Sequence, residues 1–198
     1  MRVRHVALAL VGLALFEGSR VLATGRAVHP IEERVFRAAN DAANGLRIPV
    51  RMVMQAGTFA TVPSVAALLA LTGRRRIATE VAVGGTAAWL LAKGAKPLAG
   101  RPRPDRVLRH VRTRERIGGD LGWVSGHTAV STTLALTLAP AVPPSARPLL
   151  AGVAATTAFG RMYVGAHLPL DLVGGAGLGM MIAAAVRAFG DRAADGRG

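Results

Sequence analysis

Three ionisable residues lie close together between two long apolar runs, in the segment GRMYVGAHLPLD at residues 160–171. They are Arg161, His167 and Asp171. His167 and Asp171 are four residues apart, so their side chains share one face if a helix begins near His167. The Asp171 carboxylate can then hold one ring nitrogen of His167 and leave the other free to attack a phosphorus atom. The spacing therefore predicts an oriented histidine nucleophile.

Basic side chains also stand at the ends of other apolar runs. Lys96 and Arg103 follow one run, in KPLAGRPRP, and Arg161 ends another. Ionisable groups near membrane depth are costly and tend to mark function. Arginine offers two parallel donors to an oxyanion, and lysine offers a point charge. These three cations can therefore neutralise the oxygens of a phosphate group.

The segment VSGH, at residues 124–127, precedes a further apolar run. Ser125 suits a helix N-cap, and the free backbone N–H groups at such a helix start favour an anion. Gly126 lets the backbone approach a ligand closely. His127 would face His167 across the pocket and protonate the leaving alkoxide as a general acid.

The composition places these residues in a membrane protein of one domain. The chain has 198 residues, 51% of them hydrophobic and clustered in long runs, and a net charge of +14. Cysteine is absent, so thiol catalysis and disulfides are excluded. A basic protein also suits nucleic acid, but the basic segment 96–122 lacks the interleaved aromatic side chains that stack on bases. We therefore predict no nucleic-acid partner.

Six apolar segments are candidate membrane spans, with about 20 residues per crossing as the guide. They lie near residues 4–24, 49–72, 78–95, 127–142, 147–164 and 168–189. The first also resembles a secretory signal peptide, but no clean cleavage site follows it, so we favour a retained span. The fourth is short and rich in Ser and Thr, so its neighbours should shield it. We predict an all-α polytopic membrane protein with a six-helix transmembrane bundle.

Two other regions complete the predicted organisation. Residues 28–47 are expected to form an amphipathic helix that lies at the membrane interface. Its apolar positions near helical spacing are Ile31, Val35, Ala39 and Ala42. The run GGAGLG in the last span suits close helix packing rather than a dinucleotide site. A single membrane-embedded domain should cover residues 1–190, and the small, polar tail at 191–198 should be disordered.

The span order also predicts a topology. Six crossings place both termini and the turns at 73–77 and 143–147 on one side of the membrane. The opposite surface then carries Lys96, His127, Arg161 and His167. The sequence GRRR at 73–76 and the N-terminal arginines suit the cytoplasm. The opposite face has more Lys and Arg in total, which we attribute to a functional need for the charges at 96–116. We predict a multi-pass plasma-membrane protein with an extracytoplasmic active site.

The ordered set K-x6-RP, SGH and R-x5-H-x3-D resembles the type 2 phosphatidic acid phosphatase superfamily, which also includes vanadium haloperoxidases. Each block alone is weak, but all three occur in the family's order over residues 96–171. The resemblance implies a six-helix membrane bundle and a metal-independent phosphatase without a cofactor. It implies catalytic roles for the nucleophile His167, for Asp171, which orients it, and for the general acid His127. The phosphate-binding residues that it implies are Lys96, Arg103, Ser125, Gly126 and Arg161.

Two positions depart from the family pattern. Val124 stands where Pro usually precedes SGH, and Gly160 stands where Ser usually precedes Arg161. Val124 removes no reactive group. Gly160 removes a hydroxyl contact to phosphate, and one neutral hydrogen bond contributes roughly 0.5–1.5 kcal/mol. We therefore expect reduced or altered activity at worst, rather than its absence.

These residues support two functional hypotheses. The first is an integral membrane lipid phosphatase that acts through a phosphohistidine intermediate on a lipid phosphomonoester or diphosphate. Candidate substrates are polyprenyl diphosphate, polyprenyl-linked sugar phosphate, phosphatidic acid and phosphatidylglycerol phosphate. The second is a non-catalytic membrane protein that binds anionic lipid or phosphate. The predicted partners are the lipid and the bilayer, and the oligomeric state is left open.

Other ionisable residues receive simpler interpretations. Lys93 and Arg51 are expected to snorkel from the ends of spans. The acidic residues expected to balance the charge of the basic loop are Asp105, Glu115 and Asp120. No role is assigned to His5, His29 and His110. His127, His167 and Asp171 are also of the types that bind a metal, but a metal cation would compete with the three nearby basic groups.

Overall fold

The computed structural model describes residues 2–25 and 27–195, which contain nine α-helices. They are α1 (Arg2–Ala23), α2 (Pro30–Asn40), α3 (Arg47–Met54), α4 (Thr61–Leu71), α5 (Arg75–Ala99), α6 (Pro104–Val107), α7 (Gly126–Leu138), α8 (Arg147–Tyr163) and α9 (Pro169–Asp195). Short 3-10 turns lie at Asn44–Leu46, Gln55–Gly57, Ala139–Ala141 and Pro144–Ala146. The described ranges contain no β-strand, and an isolated bridge pairs Pro102 with Leu121. The predicted all-α class is confirmed.

Helices occupy each of the six predicted spans, but the second span is broken. A turn separates α3 from α4, and the two halves are bent by 67°. Within the described residues, Val3–Ala23 and Pro169–Ala193 are each long and apolar enough to cross a membrane. The bent pair adds a third candidate if it acts as one span. The helices α7 and α8 are shorter, with 13 and 17 residues, so the count of six crossings stays a prediction.

The short helix α7 packs against α5, α8 and α9. Its hydroxyl groups turn back to its own backbone, as Thr133 donates to the Ala129 carbonyl at 2.9 Å and Thr137 donates to the Thr133 carbonyl at 2.8 Å. Both threonines are fully buried. Such internal bonds satisfy polar groups that no water can reach. The predicted shielding of this Ser- and Thr-rich helix is confirmed.

Small residues let α9 lie close to α7. A Cβ atom at Gly175 would lie 2.6 Å from the Ser125 carbonyl oxygen, and one at Gly179 would lie 2.7 Å from the Ala129 carbonyl oxygen. The GGAGLG run therefore serves helix packing, as predicted. The N–H of Ser125 also donates to the carbonyl oxygen of Asp171 at 2.9 Å. This bond ties the residue before α7 to the first turn of α9.

The predicted amphipathic segment forms α2, and its apolar positions do not all face the protein interior. Ile31 and Val35 are 57% and 47% exposed, whereas Phe36 is fully buried. Glu32 and Asn40 are buried as well, because each has polar partners inside the protein. The Asn40 amide, for example, donates to three backbone carbonyl groups at 3.0–3.2 Å. These partners, which the apolar periodicity does not reveal, decide which face packs inward.

Ion pairs and hydrogen bonds connect the start of α1, the start of α5 and the last turns of α9 at one end of the bundle. His5 Nε2 lies 2.9 Å from Asp191 Oδ2, and Asp191 also pairs with Arg76 at the start of α5. Arg74 donates to the carbonyl oxygen of Ala141 at 2.6 Å. The turns near 73–77 and 139–147 therefore lie at this end, as the predicted topology requires. The opposite end carries the start of α7, the end of α8 and the start of α9.

The last helix is longer than predicted. The sequence placed the end of the domain at residue 190, whereas α9 continues to Asp195. Residues 196–198 of the tail that we expected to be disordered lie outside the described part of the chain. A single domain over residues 1–190 stays a prediction.

Candidate active site

The three motif blocks meet at one end of the bundle. The end of α5, the start of α7, the end of α8 and the start of α9 come together there with the loop between α5 and α7. A tight reversal joins the last two helices, because the N–H groups of Ala166 and His167 both donate to the Arg161 carbonyl oxygen, at 2.9 and 3.2 Å. This reversal sets His167 close to Arg161.

A cavity of about 470 Å³ lies at this junction. Six of the eight predicted site residues line it, namely Lys96, Arg103, Gly126, His127, Arg161 and His167. The other two, Ser125 and Asp171, are fully buried and are not part of the cavity lining. Tertiary packing therefore divides the predicted residues into a set that borders the cavity and a set that supports it.

His167 and Asp171 form the contact that their spacing predicts. His167 Nδ1 lies 3.3 Å from Asp171 Oδ2, and the N–H of Leu168 donates to the same oxygen at 2.9 Å. Burial lowers the pKa of His167 well below its usual value, and the positive charge of Arg161 lowers this pKa further. The imidazole is therefore neutral near pH 7, and only this form has a lone pair for nucleophilic attack.

His127 lies in the first turn of α7 and borders the same cavity. Ser125 is the N-cap of this helix, as predicted, since its Oγ accepts the Thr128 N–H at 3.4 Å and the Thr128 hydroxyl at 3.0 Å. Gly57, in the turn that breaks the second predicted span, packs directly on His127. A Cβ at Gly57 would lie 2.6 Å from the His127 carbonyl oxygen. The broken span thus helps to position His127, and no sequence pattern indicated this contact.

The three predicted phosphate-binding cations have mostly backbone partners. Lys96 Nζ donates to three carbonyl groups between residues 121 and 124, at 3.1–3.3 Å. Arg103 donates to three further carbonyl groups at 2.7–2.8 Å. Arg161 pairs with Glu115, and among the described residues its Nε is the one buried side-chain nitrogen or oxygen without a hydrogen-bond partner. A buried donor without an acceptor is costly, so Arg161 is suited to an anion in the cavity.

The cavity is lined by more cations than the sequence predicted. Arg51 and Lys93 were expected to snorkel, but both border the cavity, together with Arg116. Glu115 is the one carboxylate in the lining that the structure describes, so positive charge is in large excess. Lys93 is three residues before Lys96 on α5, a spacing that places two side chains on one face. This spacing could have indicated from the sequence that Lys93 borders the site. No such spacing links Arg51 to another site residue.

One wall of the cavity is apolar and comes from the broken span and α5. Phe59 and Trp89 lie in the lining with their ring centroids 4.7 Å apart. The ammonium group of Lys93 lies 3.5 Å from the centroid of the Trp89 ring. Ala92 and Met54 extend this wall toward the polar residues. The cavity therefore joins a strongly cationic region to an apolar one.

Two buried residues that the sequence analysis did not single out contact the Asp171 side of the site. Arg101 is 2% exposed, and its Nη1 donates to Asp171 Oδ1 at 3.3 Å and to Glu32 Oε1 at 2.8 Å. Burial opposes the charge on Arg101, but hydrogen bonds and charges from these two carboxylates outweigh it, so the pKa of Arg101 is raised.

Glu115, expected only to balance loop charge, pairs with Arg161. These partners are distant in sequence, so no local pattern predicts the pairs.

Comparison with known protein families identifies the family to which the chain belongs. The sequence profile of the PAP2 superfamily matches residues 77–194, more than half of the chain, and this segment contains all three motif blocks. The chain belongs to the PAP2 superfamily. This is the type 2 phosphatidic acid phosphatase superfamily that the motifs resemble, and the resemblance is confirmed.

Two solved structures share the fold of this PAP2 protein. The crystal structure of Aquifex aeolicus LpxE superposes with a TM-score of 0.74 at 21% identity and covers 81% of this chain and 96% of that one. The structure of the first transmembrane PAP2-type phosphatidylglycerolphosphate phosphatase from Bacillus subtilis has a TM-score of 0.72 at 20% identity and covers 95% and 96%. At these identities the likeness concerns the fold alone. The comparison with curated proteins found no match.

Packing gives a reason for the departure from the PAP2 motif pattern at Gly160. A Cβ at Gly160 would lie 2.4 Å from Met54 Sδ and 2.9 Å from Val50 Cγ1. The helix α3 therefore packs so closely against α8 that a serine at this position would require the Met54 and Val50 side chains to shift. The other departure, Val124, is fully buried. Its backbone carbonyl oxygen accepts a hydrogen bond from Lys96 Nζ at 3.3 Å. Any residue provides that backbone contact.

The metal-binding alternative has no support in the described residues. No group of three or more His, Asp or Glu side chains in residues 2–25 and 27–195 is placed to hold a metal ion. His127, His167 and Asp171 accordingly do not form such a group. Independence of metal stays a prediction for experiment.

Proposed function

We propose that this PAP2 protein is an integral membrane phosphatase that removes phosphate from a lipid phosphomonoester or diphosphate. One juxtaposition carries the proposal. A neutral His167 held by Asp171 lies in the same cavity as Arg161, whose buried Nε lacks a partner. A nucleophile and an unsatisfied cation in one pocket suit an electrophilic phosphorus with anionic oxygens. Membership of the PAP2 superfamily supports the same reaction class.

The first step forms a phosphohistidine. Asp171 holds Nδ1 of His167, so Nε2 is the attacking nitrogen, and a new N–P bond forms as the P–O bond to the lipid breaks. Asp171 stabilises the positive charge that develops on the ring. Lys96, Arg103 and Arg161 stabilise the charge on the phosphoryl oxygens, as do the free N–H groups at the start of α7. Positioning and charge stabilisation are the main needs of phosphoryl transfer.

His127 handles the proton in both steps. It donates a proton to the leaving oxygen, which departs as the lipid alcohol or lipid phosphate. The neutral His127 then removes a proton from water, and the resulting oxygen attacks phosphorus. The N–P bond breaks, phosphate is released and His167 returns to its starting state. The partly exposed mouth of the cavity lets water enter and phosphate leave.

The apolar wall supports a lipid substrate rather than a soluble phosphoester. Phe59 and Trp89 can accept the first segment of a hydrocarbon chain while the headgroup occupies the cationic region. The candidates are polyprenyl diphosphate, polyprenyl-linked sugar phosphate, phosphatidic acid and phosphatidylglycerol phosphate. We place the cavity at the extracytoplasmic face of the plasma membrane, with lipid and bilayer as partners and without nucleic acid, metal or cofactor.

Phosphate release by the detergent-purified protein tests the proposal. The four lipids would be assayed with EDTA present, using wild type, His167→Ala and His127→Ala. A matched control is His110→Asn, because His110 is exposed and lies outside the cavity lining. Its φ of 54° is one that Asn tolerates. We expect release by wild type and the control, and a loss of at least about 100-fold in both site variants.

The outcomes separate the proposal from the binding alternative. Release that survives EDTA and needs both histidines supports the metal-free histidine mechanism, and vanadate should inhibit it by mimicking five-coordinate phosphorus. Release that EDTA abolishes contradicts that mechanism. A folded wild type that binds vanadate but releases phosphate from none of the four lipids would favour the non-catalytic protein. Packing around Gly160 weakens this alternative, since the departure at that position has a structural cause.

A further inference from the structure

A chain of three buried charges leads from α2 to the back of the proposed nucleophile. Glu32 is 7% exposed, Arg101 2% and Asp171 0%. Arg101 donates two bonds to Glu32, at 2.8 and 2.5 Å, and one to Asp171 Oδ1 at 3.3 Å. Glu32 Oε1 also accepts the N–H of Leu170 at 2.9 Å. Each link is a charge-assisted bond in a water-poor region, where such bonds hold geometry firmly.

The two oxygens of Asp171 have separate partners. Oδ1 accepts from Arg101, whereas Oδ2 faces His167 Nδ1 at 3.3 Å and accepts the Leu168 N–H at 2.9 Å. Rotation of the carboxylate would break both sets of contacts at once. Arg101 therefore fixes the plane of the carboxylate and with it the oxygen that His167 meets.

Glu32 has a second, electrostatic effect. An arginine alone beside Asp171 would neutralise the carboxylate that must stabilise a positive imidazole during attack. Glu32 makes the two shorter contacts to Arg101, so the group of three carries one net negative charge. With a neutral amide in place of Glu32, only Asp171 would balance the positive charge of Arg101. The Asp171 carboxylate would then stabilise less of the positive charge that develops on His167 during attack.

We propose that Glu32 and Arg101 are positioning residues for the nucleophile. Glu32 fixes Arg101, and Arg101 fixes the Asp171 carboxylate in the orientation that contacts His167. This inference rests on the proposed phosphatase function. Glu32 lies outside the segment that matches the PAP2 profile, residues 77–194. The helix α2 thereby contributes to the site although none of its residues lines the cavity.

Kinetics of full-length, detergent-purified variants test this role. Glu32→Gln keeps the shape and an acceptor for Leu170 but removes the charge. We expect kcat to fall about 10- to 100-fold, the size of a lost charged hydrogen bond, with KM changed less than about threefold. The matched control is Glu33→Gln, the adjacent acid, which pairs with Arg37 at 3.0 Å at the protein surface. It should keep wild-type kcat.

A double-mutant cycle with Asp171→Asn separates positioning from general stabilisation. If Glu32 acts through Asp171, Glu32→Gln should lower the residual rate of the Asp171→Asn protein by less than about twofold. A purely structural role would instead give the full loss in both backgrounds and would lower the unfolding temperature in parallel. Wild-type kcat in Glu32→Gln would overturn the proposal while leaving the phosphatase function intact.

Histidine NMR tests the positioning without turnover. In ¹⁵N-histidine-labelled protein, the signal of His167 is assigned by its loss in His167→Asn, and the chain has five histidines. We expect Glu32→Gln to shift the His167 Nδ1 signal and Glu33→Gln to leave it unchanged. If wild type released no phosphate from any lipid, the phosphatase function would fail, and the NMR result would still decide the positioning. An unchanged His167 signal in Glu32→Gln would refute it.

Discussion

Gly160 offers a direct test of how closely α3 packs on α8. The motif pattern that the chain resembles has Ser before Arg161, so Gly160→Ser restores the residue of that pattern. The new Cβ would lie 2.4 Å from Met54 Sδ, 2.5 Å from Met54 Cγ and 2.9 Å from Val50 Cγ1. Met54 is 2% exposed, so its side chain must shift from its packed position to admit the serine. We expect an overpacking cost of about 1–3 kcal/mol, which corresponds to a fall of about 2–12 °C in Tm for a chain of this size.

A second substitution identifies the cause of the loss. Met54→Ala removes the two closest atoms and by itself should cost about 2–5 kcal/mol through the cavity that it leaves. In that background one close contact remains, at 2.9 Å to Val50 Cγ1. Gly160→Ser should therefore cost less there than in wild type, and the difference is the coupling between the two sites.

Thermal unfolding of detergent-purified protein, followed by tryptophan fluorescence, measures these effects. Gly152→Ser is the matched control, since Gly152 lies on the same helix α8 and a Cβ there would meet nothing within 4 Å. The same samples would be assayed for phosphate release. Equal Tm values for Gly160→Ser and Gly152→Ser would refute the packing argument. A gain of activity in Gly160→Ser would show that the hydroxyl reaches the phosphate.

Three further predictions concern the cavity. Glu115→Gln replaces the charged partner of Arg161 with a weaker one, so vanadate should bind about fivefold more tightly; weaker binding would mean that Glu115 orients Arg161 for the anion. Trp89→Ala removes part of the apolar wall of the cavity. The KM for a long-chain lipid should therefore rise about 3- to 10-fold, while the KM for a short-chain analogue changes little. Equal changes in both KM values would contradict a role of Trp89 in binding the hydrocarbon chain of the lipid. Because the pKa of His167 is lowered from 6.5, its ring should stay neutral at pH 6.5 and become protonated only as the pH falls further; half-protonation at or above pH 6.5 in an NMR titration would contradict the burial argument.

Much of the fold follows from local sequence patterns. Each of the six apolar segments coincides with a helix or with the broken pair α3 and α4, because apolar runs of this length satisfy their backbone most easily as helices. The four-residue spacing of His167 and Asp171 and the N-cap at Ser125 also depend only on neighbouring residues. The order of the motif blocks was sufficient to indicate the PAP2 superfamily.

Only the tertiary structure decided which charged residues meet. The pairs Glu32–Arg101 and Arg161–Glu115 join positions 69 and 46 residues apart, and no periodicity links such positions. The same holds for Arg51, which reaches the cavity because the second predicted span breaks beside His127. The inward face of α2 depends on distant residues as well, since buried Glu32 and Asn40 are tolerated only where distant partners satisfy them. Local patterns determine helices and motif residues, whereas burial of charge depends on partners that the folded chain alone brings together.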